Sequence, residues 1–295
     1  MASAIPGRTV AALVIVQILF GLHPVVSKLA FPAFGPGGVS VARVVGAAVV
    51  FQSIRLARRE APLPWRVHAK IAFAATFGIV ANQLIFLYGL SRTSATHAAL
   101  LITTVPVVAL LVALLSGREP WRANRVAGIA IALAGAAFVI LGRGLAGGGE
   151  WLGDAMVMGN AVCYGIYLVL GRELVVTVSP WSLASALFTW GAPMVLCVTG
   201  LPAPDHPTPE SWAALGFTVL GPTVGTYLLN LLALRAAPAS VVAVFVCLQP
   251  LVAAAIAVPL LHESPDWRTV GAGVVTVGGM LLATREGGRP TASAR

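Results

Sequence analysis

The chain repeats itself: a hydrophobic first half is followed by a second copy of the same pattern. Landmark residues recur at a constant separation of 144 positions, as Pro36 does with Pro180 and Pro106 with Pro250. The register slips by one residue afterwards, so that the segment starting at Arg125 is matched by the one starting at Arg268. A chain built in this way folds as two equivalent units, and the interface that they share is the natural place for a site.

The composition requires a lipid environment. Hydrophobic residues make up 58% of the chain and charged residues only 10%, whereas a soluble domain carries about 25% charged residues. The net charge of +9 does not indicate nucleic acid as a partner, because the Lys and Arg residues lie between the apolar runs, where they set membrane orientation. The three cysteines fall inside apolar runs and are interpreted as small core residues.

The apolar runs predict an all-α membrane protein with ten transmembrane helices, because about 20 apolar residues cross the hydrocarbon core of a bilayer. The first five helices form one repeat, residues 9–142, and the last five form the second, residues 152–284. The predicted spans are 9–30, 36–54, 70–91, 95–116, 123–142, 152–171, 180–200, 211–234, 239–261 and 267–284.

The distribution of basic residues predicts the orientation. Ten spans put both termini on one side, and if that side is cytoplasmic it receives fourteen of the 19 Lys and Arg residues, against four on the other side. The remaining one, Arg43, lies within a span, where it is expected to have a polar partner or to line a vestibule. Alone in lipid it would cost at least about 2.5 kcal/mol. Five spans per repeat also mean that the second repeat enters from the opposite face, so the repeats are inverted.

Several motifs recur in order in both halves and resemble the EamA branch of the drug/metabolite transporter superfamily. The resemblance covers nearly the whole chain and implies ten helices around a central cavity lined by the first, third, fourth, sixth, eighth and ninth. It also implies the transport of amino acids or other small metabolites. The chain departs from the pattern at Leu187, which stands where the first half has Arg43, and at His262, where glycine is usual. The matching pieces are Tyr88-Gly-Leu-Ser-Arg-Thr-Ser-Ala, Ala98-Ala-Leu-Leu, Pro106, Gly117-Arg-Glu119, Leu234-Arg-Ala-Ala-Pro-Ala-Ser, Gln249-Pro250 and His262-Glu263.

Polar and aromatic residues share helix faces on the helices that the resemblance assigns to the cavity. Asn160, Tyr164 and Tyr167, for example, follow the spacing i, i+4, i+7. Polar groups in a membrane usually face the bundle interior, where they either bind a solute or form hydrogen bonds between helices. We favour a substrate cavity for the set as a whole, suited to a small, partly apolar, zwitterionic solute. The predicted binding residues are Gln17, Phe20, His23, Asn82, Gln83, Asn160, Tyr164, Tyr167, Tyr227, Asn230 and Gln249.

Small residues and prolines suggest how the helices bend and pack. Pro106 and Pro250 fall near the middle of equivalent spans, where each removes one backbone hydrogen bond. They are predicted to be hinges, with a static kink as the alternative. The pairs Gly128 with Gly135 and Gly271 with Gly278 predict close helix packing.

The acidic residues constrain the energy source of transport. None is predicted near the middle of the membrane, and Asp154, in the first turn of its helix, comes nearest. Proton-coupled carriers usually hold the proton on such a carboxylate. We therefore expect facilitated diffusion or exchange unless His23 or His97 titrates. No hydrolase, nucleotide-binding or CxxC pattern occurs, so no enzyme, metal ion or cofactor is expected.

These observations together predict a carrier in the cytoplasmic membrane, with both termini cytoplasmic. It would export small metabolites, with amino acids as the first choice, by alternating access, acting among membrane lipids as a monomer or homodimer. Translocation of a lipid-linked or amphiphilic cargo is the alternative within transport. The lack of a charged cluster near the middle of the membrane argues against an integral-membrane enzyme. A non-transporting scaffold or receptor would not need polar residues on matching internal faces.

Overall fold

The computed structural model describes residues 6–117, 123–142, 150–237, 242–243, 245–261 and 267–284, and over these ranges the chain is helical without a strand. Glu119, His262 and Glu263 of the motifs quoted above lie outside these ranges. In chain order the helices are α1 (Gly7–Ala57), α2 (Trp65–Ala75), α3 (Asn82–Leu90), α4 (Ala95–Ile102), α5 (Val105–Leu115), α6 (Ala123–Gly142), α7 (Glu150–Val175), α8 (Pro180–Thr199), α9 (Pro209–Val219), α10 (Thr226–Ala236), α11 (Gln249–Leu261) and α12 (Trp267–Thr284).

Six helical segments within these ranges are long and apolar enough to cross a membrane, and two shorter apolar segments accompany them. The structure therefore defines an all-helical, multi-pass membrane protein, whereas the count of ten helices stays a prediction. The long segments are Gly7–Ala57, Trp65–Leu90, Ala95–Leu115, Glu150–Val175, Pro180–Thr199 and Pro209–Ala236, and the shorter ones are Val126–Gly135 and Gln249–Leu261.

Helix α1 is interrupted by a sharp break at Gly35. Its 51 residues would measure about 75 Å as one straight helix, against about 30 Å of hydrocarbon. Gly35 adopts φ 60° and ψ 170°, which side chains disfavour, and Pro32 and Pro36 flank it. The break divides α1 into two arms and falls between the predicted spans 9–30 and 36–54.

Two π-helical turns occupy equivalent positions in the two repeats. Thr76–Ala81 joins α2 to α3, and Leu220–Gly225, 144 residues later, joins α9 to α10. A π turn inserts one residue into an α-helix and releases backbone groups from the regular hydrogen-bond pattern. Side chains from the opposite half of the chain fill this gap: the Tyr227 hydroxyl donates to the Gly78 carbonyl (2.6 Å), and the Arg43 guanidinium donates to the Pro222 carbonyl (3.4 Å).

The predicted spans containing Pro106 and Pro250 are broken rather than merely bent. Helix α4 ends at Ile102, and the hydroxyls of Thr103 and Thr104 bond back to the carbonyls of the preceding turn. Pro106 then lies in the first turn of α5, where its missing N–H leaves no gap. Pro250 is likewise the second residue of α11, after a 3-10 turn, Phe245–Leu248. Whether the two breaks move as hinges stays a prediction.

The close packing of small residues occurs in a different register from the predicted one. A Cβ atom on Gly279 of α12 would lie 2.4 Å from the Ala132 nitrogen and 2.8 Å from the Gly128 carbonyl oxygen of α6. Gly271 and Gly278 have no such neighbour within 4 Å. The predicted close contact at Gly128 is present, but its partner on α12 is the buried Gly279, because Gly278 lies on the exposed face of that helix.

Candidate functional site

A cavity lined by apolar and polar side chains lies inside the bundle, between segments contributed by both halves of the chain. Its volume is about 50 Å³, room for a few water molecules. Except for Arg43, which comes from the second arm of α1, the lining residues come from the predicted spans that the resemblance assigns to a cavity. They are Phe20, His23, Pro24, Arg43, Asn82, Phe86, Ala99, Ile102, Asn160, Tyr164, Tyr227 and Gln249.

Arg43 is the only arginine or lysine among the residues that line this cavity, and it is 3% exposed. Its Nε donates to the Thr223 hydroxyl (2.7 Å), and one terminal nitrogen donates to the Pro222 carbonyl. The other terminal nitrogen contacts Nε2 of His23. Arginine only donates hydrogen bonds, so Nε2 accepts, and His23 in this contact carries its hydrogen on Nδ1.

No carboxylate contacts Arg43 among the residues that the structure describes. Its three contacts are to neutral groups, so its positive charge remains uncompensated next to the cavity. A buried charge is costly unless it is paired. The electrostatics of the cavity therefore favour a negatively charged group on the solute.

Two hydrogen bonds join α7 to other helices at the cavity wall. The Asn160 amide donates to the Asn82 carbonyl (2.8 Å), and the Asn230 amide donates to the Tyr164 hydroxyl (2.9 Å). The first links α7 to α3 and the second links it to α10. Only the first bond joins the two halves of the chain, and Asn82, Asn160 and Tyr164 also border the cavity.

Aromatic rings form the apolar part of the wall. Phe20 meets Tyr164 edge to face, with ring centroids 6.3 Å apart, and His23 stacks on Phe86 at 5.1 Å. Tyr227 completes the wall and is anchored by its bond to the Gly78 carbonyl. Flat rings with a polar atom at one end suit a small solute that carries both apolar and polar groups.

The structure brings most of the predicted binding residues to this cavity and places four behind its wall. Phe20, His23, Asn82, Asn160, Tyr164, Tyr227 and Gln249 line it. The Gln17 amide oxygen accepts a hydrogen bond from Gln249 (2.7 Å), and Asn230 supports Tyr164. Gln83 and Tyr167 are buried, with side-chain polar atoms that have no partner among the described residues.

Tyr167 lies behind the wall because it fills the space over a glycine. A Cβ atom on Gly78 would lie 2.1 Å from the Tyr167 ring. The ring also stacks against Tyr164, with centroids 5.9 Å apart. Its i+7 spacing from Asn160 predicts a shared helix face correctly but not which residue of that face meets the cavity. Substrate binding by any of these residues stays a prediction.

The described helices form a multi-pass membrane fold with a cavity between its two halves. The EamA-like transporter family matches the chain twice, over residues 7–141 and 151–285. The chain therefore belongs to the EamA-like transporter family, which confirms the resemblance.

Two further comparisons agree with this assignment. The chain is 29% identical over 200 residues to an uncharacterized transporter of Archaeoglobus fulgidus, a match that covers 66% of this chain and 68% of that one. It also shares its fold with a protein of known crystal structure at 20% identity, with a TM-score of 0.67, over 94% of this chain and 97% of the other. The family and the relative favour a membrane transporter over an enzyme.

Proposed function

We propose that this transporter is a carrier that exports small carboxylate-bearing metabolites, amino acids first among them, across the cytoplasmic membrane by alternating access. The observation that carries the proposal is the buried guanidinium of Arg43, which borders a cavity between the two halves without a carboxylate partner among the described residues. The carboxylate of the solute supplies the missing negative charge, because arginine binds carboxylates through two parallel hydrogen bonds.

The rest of the cavity suits the remainder of an amino acid. Side-chain oxygens of Asn82, Asn160 and Gln249 can accept hydrogen bonds from an ammonium group. The rings of Phe20 and Tyr164 offer an apolar surface to the side chain of the solute. A cavity that holds a few water molecules has to widen when the carrier loads an amino acid with a large side chain.

The topology that we propose has ten helices in two inverted repeats, with both termini in the cytoplasm. The excess of basic residues on that side and the break of α1 into two arms at Gly35 support it. Reporter fusions after Arg125 are expected to be cytoplasmic, and fusions within residues 203–210 are expected to be external. The reverse pattern would exclude this topology.

The transport proposal is tested in proteoliposomes by counterflow of radiolabelled amino acids. Each amino acid is compared with its amide, which keeps the ammonium group and side chain but lacks the carboxylate. We expect exchange of the acids and little exchange of the amides, with Arg43→Leu abolishing the difference. Arg66→Leu serves as the control, because Arg66 is an exposed arginine at the start of α2.

Two results would contradict the proposal. Equal exchange of acids and amides by the wild-type protein would remove Arg43 as a carboxylate anchor. Movement of fluorescent phospholipids between leaflets without any amino-acid exchange would favour translocation of an amphiphilic cargo. Arg43→Leu is assayed only on protein that elutes as a single species, so that a loss of fold is not taken for a loss of binding.

A further inference from the structure

A second pocket lies at one end of the bundle, between the last turns of α1, the start of α2 and the first half of α8. Its volume is about 60 Å³, room for a few water molecules. It shares no lining residue with the cavity. Its polar and aromatic lining includes Gln52 and Arg55 of α1, His68 of α2, and Ser185, Thr189 and Trp190 of α8.

The cation of this pocket is Arg55, whose guanidinium has few acceptors around it. One terminal nitrogen donates to the Gln52 side-chain oxygen at 3.5 Å, and Nε is buried without a partner among the described residues. The same Gln52 oxygen also accepts from the Ser185 hydroxyl (2.8 Å). No carboxylate pairs with Arg55 within the described ranges. Such a guanidinium favours an anionic ligand that offers two adjacent oxygens.

Hydrogen bonds between α1, α2 and α8 build the rest of the polar wall. The Trp190 indole N–H donates to Nδ1 of His68 (3.2 Å), so the imidazole in this contact carries its hydrogen on Nε2. The Gln52 amide donates to the Thr189 hydroxyl (3.1 Å), and that hydroxyl donates to the Ser185 carbonyl (2.7 Å). The pocket is therefore framed by polar side chains of three helices, and the Nε2–H of His68 is a donor in addition to Arg55.

One carboxylate lies beside the pocket. Glu60 accepts hydrogen bonds from the hydroxyls of Ser179 (2.6 Å) and Ser182 (3.1 Å), and it pairs with Nε of Arg58 (3.5 Å). Its negative charge is therefore balanced by Arg58. The surrounding segment, residues 52–70, contains five Lys and Arg residues against this one acid. The local field therefore favours an anion.

The pocket lies near the membrane surface that the proposed topology places in the cytoplasm. Arg55 directly follows the predicted span 36–54, and Ser185 lies near the start of the span 180–200. Trp65, the first residue of α2, is 79% exposed, and indole rings favour the membrane interface. The pocket is thus at the level of the phosphate groups of the cytoplasmic leaflet, whose surface carries negative charge.

The lipid side of the pocket is open and continues into an apolar surface. Thr189 and Trp190 are exposed on the outer face of the bundle. Val49, one turn deeper on α1 than Gln52, is 61% exposed, and Pro193, one turn deeper on α8 than Thr189, is exposed as well. A headgroup in the pocket would therefore have a surface for its acyl chains directly below it.

We propose that this pocket binds the phosphate group of an anionic phospholipid of the cytoplasmic leaflet, with Arg55 as its principal ligand. The terminal nitrogens of Arg55 donate to two oxygens of the phosphodiester, and the N–H of His68 adds a third hydrogen bond. The apolar surface beside the pocket favours a phospholipid over free phosphate. Basic pockets between helices on the cytoplasmic side are the usual sites of such headgroups. The inference adopts the proposed topology and is independent of the transported solute.

The test is native mass spectrometry of the detergent-purified chain, titrated with phosphatidylglycerol. Arg55→Gln should weaken binding of the first lipid by about tenfold or more, because hydrogen bonds to a charged group are lost. Arg66→Gln is the matched control, because Arg66 is an exposed arginine of the same basic segment that does not line the pocket. It should weaken binding by no more than about fivefold, the effect of one surface charge.

Three results would overturn the proposal. Equal losses in Arg55→Gln and Arg66→Gln would show attraction to a basic surface without a site. Binding of phosphatidylcholine, which has no net charge, as tightly as phosphatidylglycerol would show that the pocket does not select an anionic lipid. Displacement of the lipid by millimolar inorganic phosphate would show a site for the free anion.

A second variant keeps the proposal testable where Arg55→Gln yields no folded protein. Thr189→Phe fills the pocket from an exposed position without changing the charge. It should lower the affinity for phosphatidylglycerol as Arg55→Gln does, because the larger ring occupies the space of the phosphate. Wild-type affinity in folded Thr189→Phe would show that the lipid binds elsewhere.

Discussion

The hydrogen bond between Asn230 and Tyr164 offers a quantitative test of the cavity wall. The amide of Asn230 donates to the Tyr164 hydroxyl at 2.9 Å, and both residues are buried. The bond links α10 to α7, so each side chain supports the packing of the other. The variants Tyr164→Phe and Asn230→Ala should therefore lower stability as well as change transport.

The two single substitutions should lower the free energy of unfolding by different amounts. Tyr164→Phe leaves the buried Asn230 amide without a partner, which costs about 1–3 kcal/mol. Asn230→Ala leaves the Tyr164 hydroxyl beside the cavity, where water can reach it, so the loss should be closer to about 0.5–1.5 kcal/mol. The double variant removes both partners together, and a coupling energy of about 1 kcal/mol is expected.

The assay is unfolding of detergent-purified protein, followed by counterflow of the folded variants. Tyr167→Phe is the matched control, because its hydroxyl is buried on the same helix without a partner among the described residues. That change should leave stability unchanged or raise it. The losses of unfolding free energy in the two single variants can be summed and compared with the loss in the double variant. Agreement to within about 0.3–0.5 kcal/mol would show that the hydrogen bond contributes nothing.

Three further outcomes are expected. Hydrogen bonding from the Ser179 hydroxyl lowers the pKa of Glu60. The stabilisation that the ionised Glu60 side chain provides is therefore fully present above the pKa that this carboxyl has in the unfolded chain. It is lost as the pH falls through the lower pKa of Glu60 in the folded protein. Glu60→Gln should cost about 0.5–1 kcal/mol at neutral pH and nothing in acid. Gly279→Ala should destabilise the α6–α12 contact, whereas Gly278→Ala should stabilise the helix by about 0.4–1 kcal/mol, as measured by thermal unfolding. Pro106→Ala should slow counterflow with little change in melting temperature, because the break before α5 would become helical.

The helical membrane fold could be predicted from the sequence because bilayer thickness ties the length of an apolar run to a spanning helix. Interruptions inside the spans were harder to predict. The π turn at Leu220–Gly225 contains Pro222, but its equivalent at Thr76–Ala81 contains no proline. What stabilises the first π turn is the hydroxyl of Tyr227 on the Gly78 carbonyl, a contact 149 residues away in sequence.

Contacts between residues distant in sequence also limited the prediction of the site. Helix periodicity identified polar faces, and Asn160 and Tyr164 do meet the cavity. Periodicity could not show that the Tyr167 ring would lie over Gly78 and not in the cavity wall. Arg43 was expected to have a polar partner or to line a vestibule, and it does both. Its in-span charge was the signal that could have placed it in the site.

The two repeats share the positions at which their helices bend but differ in their buried charged residues. The π turns and the proline-started helices recur at equivalent positions, so both halves bend in the same places. Two buried charged residues do not recur: Arg43 is matched by Leu187, and Asp154 by Val10. Two identical halves would present the same groups to both ends of a solute and both faces of the membrane. On the proposed function, the one arginine that lines the cavity orients the solute. Vectorial transport therefore depends on the positions where the repeats have diverged.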